Sequence, residues 1–332
     1  MRQAKNARPR ASVAVDGVAS LTLGWRRGNA RREPHMGAVA WGAVRSPEWL
    51  AGHMNARAEV AVTGATGHVG GAVATLLSEA GIEQRLIVRN ALRAPRLTGA
   101  EVAVASYGDR EASLAALDGI RTLLMVSAAE APNRLEQHEA FVDAAAEAGV
   151  EHIVYTSFVG ARADAIFTLA RDHFRTEERI KGTGSRFTIL RDNFYLDFVP
   201  ELVGDDGVIR GPAGTGRMAA VARADVASVA AAVLTSPSAH IGKIYELTGP
   251  EAFSLDEAAR ILSKMTARRV TFHNETVDEA YESRQKWNPE PWQADAWVST
   301  YTSIASGELA EVSGDVQALT GRRPLSLADL LA

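Results

Sequence analysis

The sequence predicts an α/β protein, a doubly wound parallel sheet with a smaller, interleaved C-terminal α/β lobe. Three observations predict it. From Glu59 onward, short β-branched runs alternate with helical stretches. The first run leads straight into glycines spaced three apart, Gly64, Gly67 and Gly70, and then into a helix. After Arg191 the alternation loosens into a stretch rich in Gly and aromatics, followed mainly by helices.

Seven runs read as strands: Val60–Thr63, Arg85–Val88, Glu101–Ala105, Thr122–Val126, His152–Thr156, Phe187–Leu190 and Lys243–Leu247. A helix from about Val69 to Glu79 puts Val69, Val73, Leu76 and Leu77 on one face, with Gly81 as its stop. Gln137–Glu147 reads as a crossover helix ended by Gly149, and Ala224–Leu234 as an Ala/Val helix. Right-handed crossovers between these strands build the doubly wound sheet. From Phe253 the chain reads as helices with one short strand near Val270. Trp287–Trp297 holds three Trp and two Pro, and is expected to be an irregular segment or a lid. The expected division is a leader over 1–56, a dinucleotide-binding unit over 57–192 completed by about 222–249, and a substrate lobe from 193–221 and 250–332.

Composition narrows the function. The chain of 332 residues, 46% hydrophobic and 23% charged, has the make-up of a globular protein long enough for one large α/β domain and a smaller lobe. It has no cysteine, which removes disulfides, thiolate metal sites and a cysteine nucleophile, and no metal site is expected. No apolar run approaches the roughly 18 residues that span a bilayer, and a net charge of −4 gives no reason to expect nucleic acid. The cytoplasm is the expected compartment, and a homodimer is compatible with this reading. Residues 1–53 hold nine Lys/Arg against three acids, a balance of +6, so the remainder carries −10. They lack periodicity, and neither a secretory nor a twin-arginine signal fits them. A disordered or non-native leader is expected, with Met54 as an alternative start.

The glycines point to a ligand. Placed between a strand and a helix, they form a Rossmann-type turn that lets backbone amides approach a pyrophosphate. The helix N-terminus then faces it with unpaired N–H groups. Sites preferring NAD end the second strand with an acid that holds the ribose 2′-hydroxyl. Here that strand ends Ile87-Val88-Arg89-Asn90, with Arg93 close behind. A guanidinium binds a 2′-phosphate in a forked contact that a carboxylate would repel. NADPH is therefore expected over NADH. The usual Tyr-x-x-x-Lys pair of carbonyl reductases is missing, because Glu111, Val159, Val199, Gly249, Gln285 and Ala305 follow the six tyrosines at that spacing. No nucleophile elbow, Walker loop or zinc helix is present either. A conjugated acceptor that needs no strong enzymic acid, such as a quinone or a delocalised cation, suits such a site.

The segments TGATGHVG, IVRN, LLMVS, GVEHIVYTS, ARDHFRTEERI, FTILRDNFY and YELTG resemble the NmrA-like, atypical short-chain dehydrogenase family. Within it the likeness is to type 2 NAD(P)H:quinone oxidoreductases and triphenylmethane dye reductases, from about Glu59 to the C-terminus. The resemblance implies that Gly64, Ala65, Thr66, Gly67, His68, Val69 and Arg89 bind the NADPH phosphates. It further implies that Ser127, Thr156 and Ser157 line the ribose and nicotinamide. His173 stands where other members carry lysine, as a ribose contact or proton relay, or else as a surface helix residue beside Asp172. Asp192 replaces an Asn of relatives, and either favours a cationic acceptor or points into solvent. Asn193, Phe194 and Tyr195 begin the substrate wall or pack in the core. Two functions are expected from this: an NADPH-dependent reductase of quinones or triphenylmethane-type dyes, or an NAD(P)-sensing regulatory protein without turnover.

Overall fold

A computed structural model describes residues 58–332. The expectations for the leader lie outside these residues. The seven expected strands all form, and all join one parallel sheet: β1 (Val60–Thr63), β2 (Gln84–Val88), β3 (Ala100–Val104), β4 (Thr122–Met125), β5 (His152–Phe158), β6 (Arg186–Asp192) and β9 (Lys243–Leu247). Their spatial order is β3-β2-β1-β4-β5-β6-β9. Val60 of β1 sits opposite Gln84 of β2 on one side and Thr122 of β4 on the other, so the order in which strands are added reverses between β1 and β4. In such sheets the ligand crevice lies at that switch point, outside the carboxyl ends of the strands.

The crossover helices are α1 (His68–Glu79), α2 (Arg110–Leu117), α3 (Arg134–Glu147), α4 (Thr168–Gly182) and α5 (Arg223–Thr235). Strand alternation separates two cores. Val62, Leu86, Leu124, Val154 and Leu190 face α1 and α5. Ala61, Ile87, Leu123, Ile153, Tyr155 and Ile189 face α2, α3 and α4. On α1 the expected face is buried, with Val69, Val73 and Leu77 in the core and Leu76 packed at its edge. Each wholly buried Val or Leu contributes roughly 1.5–3 kcal/mol.

The second half adds β7 (Val208–Gly211), β8 (Arg217–Met218), β10 (Phe253–Ser254), α6 (Leu255–Thr266) and β11 (Thr271–Asn274). Helices α7 (Val277–Arg284), α8 (Pro291–Ser306), α9 (Asp315–Thr320) and α10 (Leu327–Leu331) follow. Strands β7 and β11 pair in parallel, β8 and β10 antiparallel, over a separate core that includes Leu196, Ile209, Met218, Leu262 and Ile304. Two expectations need correction. Trp287–Trp297 is not irregular throughout, because α8 starts at Pro291. Pro sits there at the first helical position, where its missing N–H costs nothing, and Glu290 with Gln293 closes a capping box. Nor is everything after residue 250 lobe: Val316 of α9 lies in the core beneath α5.

Candidate active site

At the switch point the chain leaves β1 through Gly64, whose φ of +63° is unfavourable for any side chain. Gly67 N–H donates to the Gly64 carbonyl at 2.8 Å, closing the turn. A Cβ on Gly70 would lie 2.5 Å from that same oxygen and 2.6 Å from the Thr63 oxygen, so only glycine lets α1 sit this close. Gly67 caps α1 without a side-chain bond, which leaves the first-turn amides free for an anion. Gly64, Thr66, Gly67 and His68 are exposed along this edge. Ala65 and Val69 are buried in the core, so these two can serve a ligand only through their backbone. These residues fit a dinucleotide pyrophosphate. Arg89 and Arg93 lie exposed just past β2, and neither has an ion-pair partner among the described residues. Asn90 holds the turn between them by accepting from Leu92 N–H at 2.9 Å.

The ends of β1 and β4 are tied by Tyr107. Its hydroxyl donates to the Val126 carbonyl at 2.6 Å and accepts from the Thr63 hydroxyl at 2.5 Å, while Thr63 accepts from Val126 N–H at 2.9 Å. Burial holds the Tyr107 hydroxyl above its ordinary pKa, so it stays a donor. Next along, Ser127 N–H donates to Thr156 Oγ1 at 2.8 Å, joining β4 to β5 at the cleft edge. Ser157 departs from expectation. Alternation turns it to the opposite face, where it donates to Glu177 of α4 at 2.6 Å.

His173 is not a surface residue: it is buried beneath the cleft. Its Nε2 faces Arg134 at 2.9 Å and its Nδ1 faces the Tyr155 hydroxyl at 2.9 Å. Burial first, and then the Arg134 charge, hold its pKa well below the usual histidine range. Both ring nitrogens are thus engaged within the protein, one by Arg134 and one by Tyr155. Above it, Phe158 stacks at a tilt on Phe167, with centroids 4.8 Å apart. Helix α8 closes the far side, where Trp297 Nε1 reaches Glu130 of the loop after β4 at 3.4 Å and Ser299 accepts from Thr168 N–H at 3.2 Å.

A model of the NmrA-like family matches residues 56–286. The chain belongs to the NmrA-like family. Among its curated relatives is quinone oxidoreductase 2 of Escherichia coli, 34% identical over 278 residues that cover 81% of this chain and 96% of the relative. An NAD(P)H azoreductase of Xenophilus azovorans is 28% identical, covering 81% and 96%. Among solved structures, the NADPH complex of the Escherichia coli quinone oxidoreductase QOR2 superposes with a TM-score of 0.75 at 32% identity, covering 82% of this chain and 98% of that one. A Citrobacter triphenylmethane reductase complexed with NADP(H) gives 0.73 at 32%, with the same coverage. The resemblance read from the motifs and the doubly wound fold are both borne out.

In this NmrA-like chain the four expected substrate residues divide. Asp192 does not point into solvent: it is buried at the end of β6 and accepts from the Tyr195 hydroxyl at 2.7 Å. Burial pushes its carboxyl up to about 8, against a smaller downward pull from that hydrogen bond. Its Oδ1 is buried and has no partner among the described residues. Tyr195 packs at the edge of the core beneath α1 and α5. Asn193 and Phe194 leave the substrate wall, since Asn193 donates to the Leu309 carbonyl at 3.1 Å and Phe194 lies in the lobe core. The sequence reading missed Tyr107, Arg134, Glu177 and Arg191. Arg134 carried one local signal, a cation in the first turn of a helix, where the dipole favours acids. A groove of about 310 Å³ among Pro200, Val203, Leu262 and Val270 shares no residue with the glycine turn.

Proposed function

We propose that this protein is an NADPH-dependent reductase of conjugated small molecules, quinones or triphenylmethane-type dyes among them. It is an NAD(P)H-dependent oxidoreductase, as the azoreductase and the quinone oxidoreductase QOR2 it resembles are by name. When bound, NADPH supplies the hydride. The glycine turn and the free amides of α1 hold the pyrophosphate, and Arg89 takes the 2′-phosphate. Ser127 and Thr156 position the ribose end of the cleft, and Trp297 with Phe158 and Phe167 offers flat apolar surface to an acceptor. The protein's contribution is to align two rings and exclude water.

The observation that carries the acceptor class is the state of His173. Ringed by Arg134 and Tyr155, it is held neutral and has no free nitrogen, so it offers no ready acid to a ketone oxygen. A carbocationic dye becomes neutral on accepting hydride alone, and a quinone spreads the incoming charge by resonance. The test is loss of NADPH absorbance with a panel of quinones and cationic dyes. Tight NADPH binding without consumption above the uncatalysed rate would sink the reductase and leave the sensor. Arg89→Glu should weaken NADPH roughly 10- to 100-fold and NADH only slightly. Equal loss of both would remove Arg89 from its role.

A further inference from the structure

Arg134 is the first residue of α3, and its side chain is only 4% exposed. A cation there opposes the helix dipole, and burying a guanidinium is strongly unfavourable without partners. Its partners come from two other elements. Nε donates to the Ala128 carbonyl at 2.9 Å, Nη2 donates to His173 Nε2 at 2.9 Å, and Nη1 lies 3.4 Å from the Asp172 carboxylate. The Ala128 N–H in turn donates to His138 Nε2 at 2.8 Å. Ala128 is therefore held at both backbone atoms, one residue past the Ser127 that binds Thr156.

These bonds decide where the ring protons sit. A guanidinium and a backbone amide can only donate, so Nε2 of both histidines accepts and each proton lies on Nδ1. His173 Nδ1–H then donates to Tyr155 Oη. His138 Nδ1–H donates to Thr176 Oγ1 at 3.0 Å, whose hydroxyl passes on to the Asp172 carbonyl at 2.8 Å. One guanidinium fixes the wall after β4, the facing turn of α4 and the tautomer of the histidine between them.

We propose that Arg134 is a positioning residue of the cleft, locking the Ser127–Ala128 wall to α4 and holding His173 neutral in its Nδ1–H form. The inference rests on the reductase reading, and it does not require Arg134 to touch cofactor or acceptor. Without the guanidinium, Ala128 loses its anchor, and His173 loses the positive charge that opposes its protonation.

The test uses the full chain. In ¹⁵N NMR of the wild type, His173 should show the Nδ1–H tautomer and no titration across the ordinary histidine range. Arg134→Met keeps the apolar stem and removes every donor. It should raise the Kd for NADPH roughly tenfold or more and move His173 titration up toward the ordinary value. It should also add an acidic limb to the pH profile of kcat/KM. Arg134→Lys, with the charge but no fork, should recover part of the affinity and keep His173 suppressed. A wild-type His173 that titrates normally or carries its proton on Nε2 overturns the proposal. So does a folded Arg134→Met with unchanged Kd and His173 spectrum. If Arg134→Met fails to fold, the wild-type spectrum and Arg134→Lys decide. If the wild type binds NADPH but consumes none with any quinone or dye of the panel, the reductase reading fails, while Kd and tautomer still judge Arg134.

Discussion

Replacing Asp192 by Asn will stabilise the protein far more at pH 8 than at pH 4. The Asp192 side chain is buried, its pKa is pushed up to about 8, and one oxygen has no partner among the described residues. In the unfolded chain the same carboxyl titrates near its ordinary value of 3.8. Between those two values the folded state keeps a proton that the unfolded state has released. Stability must then fall as pH rises through that window, reaching its full cost above about pH 8. A tenfold difference in proton affinity between the two states corresponds to about 1.4 kcal/mol. Allowing for relaxation around the carboxylate, Asn should gain roughly 3–5 kcal/mol at pH 8 relative to its effect at pH 4. Its buried NH₂ costs about 1–3 kcal/mol wherever it lacks an acceptor, but at every pH alike, so the difference between the two pH values isolates the carboxyl. Denaturant titrations at both values make the measurement. A substitution effect independent of pH would show that Asp192 ionises normally in the folded protein.

Glu177→Ala is expected to cost about 3–5 kcal/mol of unfolding free energy, the usual result of breaking a buried ion pair from one side. Glu177 is wholly buried on α4 and binds both Arg191 Nε and Nη2, at 2.9 and 2.8 Å, and the Ser157 hydroxyl. Its carboxylate holds the Arg191 guanidinium above its ordinary pKa. Among the described residues, removing the carboxylate leaves Arg191 one partner, Glu246 at 3.2 Å, and leaves Ser157 without an acceptor at the end of β5. The double change Glu177→Leu with Arg191→Met should recover much of the loss, because an apolar pair of similar volume needs no counter-charge. A loss below about 1 kcal/mol for Glu177→Ala would mean that water already reaches the pair.

Much of the fold was legible because it is written in short-range patterns. Seven β-branched runs, a 3.6-residue stripe on α1 and glycine stops mark elements within windows of about a dozen residues. The glycine turn was legible for the same reason, since Gly64, Gly67 and Gly70 interact with their own neighbourhood. Helix α8 was misread because three Trp and two Pro suggested irregularity, although Pro291 marks a helix start.

The sequence by itself determined the doubly wound sheet, the turn at its switch point, the basic end of β2 and the lack of a Tyr–Lys pair. Each of these is a matter of composition or local spacing. Only the tertiary structure decided that Ser157 faces away from Thr156 toward Glu177, that Asp192 is sealed from water, and that Phe194 belongs to the lobe core. It also decided that His173 meets an arginine 39 residues earlier in the chain. Protonation and hydrogen bonding depend on burial and on which strands and helices come to lie side by side, and those contacts exist only once the sheet has assembled.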